Sequence, residues 1–248
     1  MSYIPLKYSL SRTKLISFLE DLEKNEDSLT VSIYIPPKQP GAAIIQILEN
    51  AGINTVPDEL PGIVEKTDTG GVVFASEQKI YAVLPPFPVR NNVIFADYMP
   101  VPLLELIGTD YKTGIILVHL GSYAVGYCIG EELVSSKVGT GLVHGRTRKG
   151  GSSQQRFQRR RQKQADEFLD RVCARAVENL SPREKELDYI IYGGPRQTVL
   201  QLKKKCRFLQ SLEERELTLI DVPEIRQSVL EKALKRIWSS SILEWREE

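Results

Sequence analysis

Apolar positions recur at helical spacing over residues 11–24, where Leu15, Ile16, Phe18, Leu19 and Leu22 follow a serine suited to cap a helix. Residues 29–35 then alternate and are rich in β-branched side chains, and Pro36-Pro37 stops that strand. A short helix is predicted over 42–50, closed by Gly52. Strands follow at 71–75 and 79–83 across the turn Ser76-Glu77-Gln78. Pro85-Pro86-Phe87-Pro88 enforces an extended passage, after which a strand near 93–98 and a helix over 103–107 are expected. Gly108-Thr109-Asp110 marks a boundary. The second half opens with strands at 114–120, 123–129 and 132–138, the first two joined at Gly121-Ser122. Residues 139–152 carry no periodicity, and a long helix then runs over 153–180. Its apolar stripe (Phe168, Leu169, Val172, Cys173, Ala176, Val177, Leu180) occupies only the C-terminal half. Over 154–164 the single large apolar side chain is Phe157. Half a helix with no face to bury should project from the body or lie on a partner. Beyond Pro182 come a strand over 188–192, Gly193-Gly194-Pro195, a helix over 198–209, a strand over 217–221 and a last helix over 223–238. The order predicts an α/β protein, α+β overall. A small α+β domain over 1–110 precedes a domain over 111–248 built on a mixed sheet with flanking helices and a projecting glycine-rich loop.

The chain has 248 residues, 42% hydrophobic and 26% charged, enough to bury a real core and far from the composition of a disordered protein. No apolar run reaches the length of a membrane span, and residues 1–14 hold no apolar core that would serve as a secretion signal. Cys128, Cys173 and Cys206 are odd in number, far apart and without CxxC or CxxH spacing. That argues against a disulfide scaffold or a structural zinc site and for a reducing, cytoplasmic setting. The net charge of +1 hides an uneven distribution. Residues 144–163 hold eight Lys or Arg and no acid, which leaves 25 basic against 32 acidic residues elsewhere. A mildly acidic body with one basic segment fits contact with a polyanion through a single element.

Standard catalytic sets are missing. His119 and His144 form no HExxH, there is no GxSxG elbow and no GxxxxGK[ST], and the acids sit beside lysines and arginines rather than in a carboxylate dyad. Gly139, Gly141 and Gly145 approach a dinucleotide fingerprint, but the spacing is GxGxxxG and no strand-turn-helix unit surrounds it. No metal and no cofactor is expected. What remains is Lys149-Gly150-Gly151-Ser152-Ser153-Gln154-Gln155-Arg156-Phe157, a glycine-hinged loop entering the basic start of a long helix. Glycines let a backbone approach a ligand closely, and a helix N-terminus offers unpaired N–H groups toward phosphate. Arg146, Arg148, Lys149, Arg156, Arg159, Arg160, Arg161 and Lys163 are the candidate phosphate contacts. Arg156, Arg159, Arg160 and Lys163 share one helix face.

Gly150-Gly151 followed by Arg156-Phe157, Arg159 and Arg161 resembles the GGQ loop and following helix of the archaeal and eukaryotic class I peptide-chain release factors. Ser152 stands where those factors have glutamine directly after the glycines. Gly151-Ser152-Ser153-Gln154 instead resembles the GxSQ signature of the Vms-like branch, the peptidyl-tRNA hydrolases of ribosome-associated quality control. Residues 112–238 are similar in pattern to the middle domain of those factors, and 29–37 to the opening strand of their first domain. Neither a TASNIKS-like nor a YxCxxxF-like motif is found, so the resemblance does not extend to stop-codon reading. No domain is expected after Trp238, hence no docking of a partner GTPase by that route; the chain resembles a minimal, prokaryotic form.

The resemblance implies hydrolysis of the ester between a nascent peptide and tRNA, with the large-subunit peptidyl-transferase rRNA and peptidyl-tRNA as partners. That ester is already activated, so the task is to place one water and exclude others. A glutamine amide donates and accepts at once and adds no negative charge beside phosphates. Gln154 is the expected water-positioning residue and Gln155 the second choice, with Gly150, Gly151 and Ser153 shaping the loop. A non-catalytic ribosome-binding factor is the alternative. An unrelated single-stranded RNA binder is disfavoured, because Phe157 is the one aromatic in the basic element.

Overall fold

The computed structural model describes residues 6–24, 29–53, 56–76, 79–142, 153–222 and 225–246. It divides into two compact units, one holding the chain up to Thr109 together with the segment from Lys235, the other spanning Asp110–Leu234.

The first unit begins with β1 (Leu6–Leu10), α1 (Arg12–Lys24), β2 (Val31–Ile35), α2 (Gly41–Asn50) and α3 (Glu59–Glu65). It continues with β3 (Gly71–Ala75), β4 (Lys79–Leu84), β5 (Val93–Phe95) and α4 (Val101–Gly108). Alternate side chains of its strands feed two different cores. Ile33, Ile35, Val73 and Ala82 pack with Ile44 and Leu48 of α2 and Leu60 and Val64 of α3. Tyr34, Val72, Phe74 and Val83 pack with Leu15 and Leu19 of α1 and Leu103 and Ile107 of α4. Helices on both faces explain why VSIYI and GVVFA are buried along their whole length rather than every second residue.

The second unit comprises β6 (Lys112–His119), β7 (Ser122–Ile129), β8 (Glu132–Thr140) and α5 (Ser153–Leu180), then β9 (Tyr189–Gly193) and α6 (Arg196–Lys205). After these come α7 (Arg207–Gln210), β10 (Glu216–Ile220) and α8 (Gln227–Ile237), whose residues up to Leu234 belong to this unit. Its sheet runs β10-β9-β6-β7-β8. The β10, β9 and β6 neighbours are parallel and the β6, β7 and β8 neighbours antiparallel, so the sheet is mixed. Ile116, Val118, Val125 and Ile190 bury one face under α5, α6 and α7 through Phe168, Val172, Ala176, Val199, Leu202 and Leu209.

The structure departs from the sequence expectation at several places. Residues 240–246, assigned above to the second domain, form β11 (Ser240–Arg246), which pairs antiparallel with β1 and β4 in the first unit's sheet. That sheet therefore runs β1-β11-β4-β3-β2-β5. Ile242 enters one of its cores, and Leu243 and Trp245 the other. Strand β1 and helix α3 were not anticipated either, since β1 is five residues long and its partner lies at the far end of the chain. The helix expected over 198–209 is broken at Cys206, whose φ of −105° and ψ of 99° are non-helical, into α6 and α7. Finally, Cys173 and Cys206 are disulfide-bonded, with a Cα–Cα separation of 5.6 Å, against the expectation from cysteine count. No local spacing announces this pair, because only the packing of α5 on α6 and α7 brings residues 33 positions apart together. Cys128 stays a free, buried thiol, which burial pushes up to about 12.

Candidate functional site

Helix α5 is the element that positions the site, and it has two unlike halves. From Ala165 onward a stripe of Ala165, Phe168, Leu169, Val172, Ala176 and Leu180 is buried against the sheet. The half before it is anchored by no such stripe: Gln155, Arg156, Phe157, Gln158, Arg159 and Arg160 are all exposed, Phe157 to 52%. At about 100° per residue, Arg156, Arg159, Arg160 and Lys163 fall within an arc of roughly 100°. That arc lies on the side of the helix opposite the buried stripe. Arg161 sits away from this arc and is half-buried, so five candidate cations do not act as one face. Lys163 pairs with Glu167 at 3.9 Å, both largely in solvent, an ion pair of little strength.

Ser153, Gln154 and Gln155 occupy the first turn of α5, so both candidate glutamines sit at a helix N-terminus. Gln155 is exposed. Gly150, Gly151, Arg146, Arg148 and Lys149 lie outside the described residues, as does His144.

The strand that leads into the loop is held in a seat. β8 continues through Gly139 and Thr140, two residues past the expected strand end, so part of the stretch read as aperiodic is sheet. A Cβ on Gly139 would lie 2.5 Å from the Tyr123 hydroxyl and 2.6 Å from its ring. A Cβ on Gly141 would lie 2.5 Å from the Arg171 guanidinium and 2.7 Å from the Phe168 ring. A methyl group at either position would force the Tyr123 or Phe168 ring to shift. The Gly141 N–H also donates to the Gly121 carbonyl at 2.9 Å. Tyr123 meets Phe168 edge to face at 6.1 Å, and Arg171 stands over Phe168 at 6.0 Å. Gly139 and Gly141, which resembled part of a nucleotide fingerprint, are thus the seat of the loop's stem. Tyr123, Phe168 and Arg171 were missed as positioning residues, and the signal for them was the glycine pair at the end of a strand.

Phe168 lies fifteen residues beyond Ser153, so α5 extends about 22 Å past the level at which β8 is seated. The result is a cationic lever with two glutamines at its tip. Among the described residues no cluster of His, Cys, Asp or Glu is placed to hold a metal ion. His119 is half-buried at the end of β6, in register with Ser122 across the hairpin. Ion pairs elsewhere are structural: Lys112 beside Glu186, at 2.9 Å, holds that carboxyl below the usual glutamate range. No helix among the described residues is long and apolar enough to cross a membrane.

Comparison with known proteins reaches the same element. A peptide chain release factor subunit 1 from Thermococcus sibiricus is 27% identical over 237 residues, covering 82% of this chain and 57% of its own length. A counterpart from Methanopyrus kandleri is 28% identical over 251 residues, covering 90% of this chain and 61% of its own. The chain thus spans about three fifths of the relatives it matches. Among solved structures, an archaeal translation termination factor superposes with a TM-score of 0.40 at 21% identity, covering 92% of this chain and 73% of that one. Residues 111–243, more than half of the chain and all of α5, match the family described as Actinobacteria/chloroflexi VLRF1 release factor, and the chain belongs to that family.

Proposed function

We propose that this protein is a peptidyl-tRNA hydrolase of the Vms-like kind, releasing the nascent peptide from tRNA on stalled ribosomes or free large subunits without reading a stop codon. The observation that carries this reading is the lever. Two glycines, Gly150 and Gly151, precede a helix whose residues 155–160 are exposed, with Arg156, Arg159, Arg160 and Lys163 on the side away from its buried stripe. An exposed cationic stretch with no apolar stripe of its own suits contact with a polyanionic partner. In this reading Arg156, Arg159, Arg160 and Lys163 lie along rRNA phosphates of the large subunit, with Arg146, Arg148 and Lys149 supporting the loop. The helix N-terminus enters the peptidyl-transferase centre of a cytoplasmic ribosome.

The chemistry assigned to the tip needs no charged catalyst. Gln154 accepts a hydrogen bond from the attacking water through its amide oxygen and orients it toward the ester carbonyl. A loop N–H donates to the developing oxyanion. Gly150 and Gly151 let the backbone approach the tRNA 3′ end, and Ser153 and Gln155 flank the reacting group. The acyl–oxygen bond to the ribose breaks as the water's oxygen bonds to the carbonyl carbon, and the proton that the water loses is taken up by the leaving ribose oxygen, so the protein contributes position rather than a general base. The test is incubation of the protein with ribosome-bound peptidyl-tRNA, following the tRNA-linked peptide. Its loss, with free peptide and intact tRNA appearing, supports hydrolysis. Stable binding with the linkage intact overturns it in favour of a non-catalytic binding factor.

A further inference from the structure

The root of the lever carries a covalent tie that the proposed chemistry does not use. Cys173 lies on α5 and Cys206 at the break between α6 and α7, and their 5.6 Å Cα separation is that of an ordinary disulfide. Next to Cys206, the Lys205 ammonium reaches Asp166 and Asp170 of α5, each at 3.2 Å. Three contacts, at 166, 170 and 173, thus clasp α5 to the α6–α7 corner. They lie along about the first two and a half turns of its buried half, which begins at Ala165. One bridge in 248 residues, with the third cysteine buried and apart, is no scaffold.

We propose that Cys173 and Cys206 are a reversible thiol–disulfide pair whose oxidised state locks the direction of α5 and so sets where the loop at its tip is delivered. The leverage is geometric. Gln154 lies nineteen residues from Cys173, about 28 Å along the helix, and a 5° change of tilt at the root moves the tip by about 2.5 Å. Misplacement by about 1 Å is enough to cost roughly 10²-fold in a reaction that depends on positioning. The two-electron oxidant is a peroxide. The half-buried Cys173 attacks one peroxide oxygen as its thiolate, the O–O bond breaks, and a sulfenic acid and water form. The sulfur of Cys206 then displaces the sulfenyl oxygen, the S–S bond forms, the S–O bond breaks, and a second water leaves. A dithiol reductant reverses this, becoming a cyclic disulfide as two protein thiols return. Cys128 takes no part, since burial keeps it a protonated thiol.

The link to release rests on the hydrolase reading; the pairing itself does not. The experiment treats the full chain with hydrogen peroxide or with dithiothreitol and removes the reagent. It then measures free thiols with peptide mapping, the thermal midpoint, and release rate beside ribosome co-sedimentation, for wild type and Cys173→Ala. The expected result is a Cys173–Cys206 cross-link in the oxidised protein and a midpoint higher by about 5 °C or more than in the reduced protein. Release should differ at least several-fold between the two forms at equal co-sedimentation, and Cys173→Ala should respond to neither reagent. A cross-link that never forms, or a midpoint indifferent to it, overturns the pair. Equal release from both forms, with the cross-link present, overturns its control of the lever and leaves the hydrolase reading standing. No release from either form defeats the hydrolase reading while the cross-link and midpoint still judge the pair.

Discussion

Replacing Arg156, Arg159, Arg160 and Lys163 together with glutamine removes four exposed cations from one face of α5 and leaves the buried stripe from Ala165 onward untouched. Glutamine is nearly as good a helix former as arginine or lysine, so the helix should persist. Each lost phosphate contact lowers the dependence of log K on log salt by about 0.7–0.9, so four lower the slope by about 2.8–3.6. Near 0.15 M salt this corresponds to a loss of affinity for the large subunit of about 10²–10³-fold. Each doubling of salt should weaken the wild type by a further factor of about 7–12 relative to the variant. The assay is co-sedimentation with large subunits across a salt series, with circular dichroism to confirm the helix. A control is Lys204→Gln with Lys185→Gln, both outside the basic element, its loss compared per charge removed. Lys203 and Lys205 are poor controls, since they are engaged by Glu216 and by Asp166 and Asp170. An unchanged slope in the fourfold variant, or an equal loss in the control, would refute the assignment of this face to RNA.

Other outcomes follow from particular contacts. Phe168→Ala removes a fully buried ring from the second unit's core and should cost about 3–5 kcal/mol, read as a lower denaturant midpoint. Gly141→Ala places a methyl group against Arg171 and Phe168; release should fall while ribosome binding, carried by the untouched arginines, holds. Loss of both in step would show that the seat only supports folding. Glu186, held low by Lys112, should titrate below the ordinary glutamate range in an NMR pH series. Its folded value is depressed, so the pair's small contribution is present above the unfolded value and disappears as pH falls through the folded one. Lys112→Met should return the midpoint to the ordinary range.

Much of the fold was legible because local pattern and burial agree. The stripe Phe168, Leu169, Val172, Ala176 and Leu180 reads as a helix face and is buried as one. The short apolar runs of β2, β3, β6 and β7, rich in β-branched residues and bounded by turn residues, mark strands that form as such. What was hidden depends on contacts between distant residues. Ser240–Arg246 reads as a tail after a helix, and only its pairing with Leu6–Leu10 and Lys79–Leu84 makes it a central strand. Cys173 and Cys206 show no motif spacing because helix packing, not sequence, joins them. Thr198 through Leu209 keeps one apolar periodicity across the Cys206 break, so the break itself left no trace in the pattern. At the site, the exposed cationic half of α5 was readable from the absence of apolar positions. The seat under Gly139 and Gly141 was not, because glycine records a close approach without naming the side chains that make it.

The most direct measurement compares wild type and Gln154→Ala for single-turnover release of peptide from ribosome-bound tRNA, with co-sedimentation on the same preparations. Loss of one preorganised polar group should lower the release rate by roughly 10²-fold or more. Binding should stay within about twofold, because no charge is removed. Gln155→Ala, one residue and about 100° further round the helix, should cost less. Full release by Gln154→Ala, or a loss of release only in proportion to a loss of binding, would contradict a water-positioning role for Gln154.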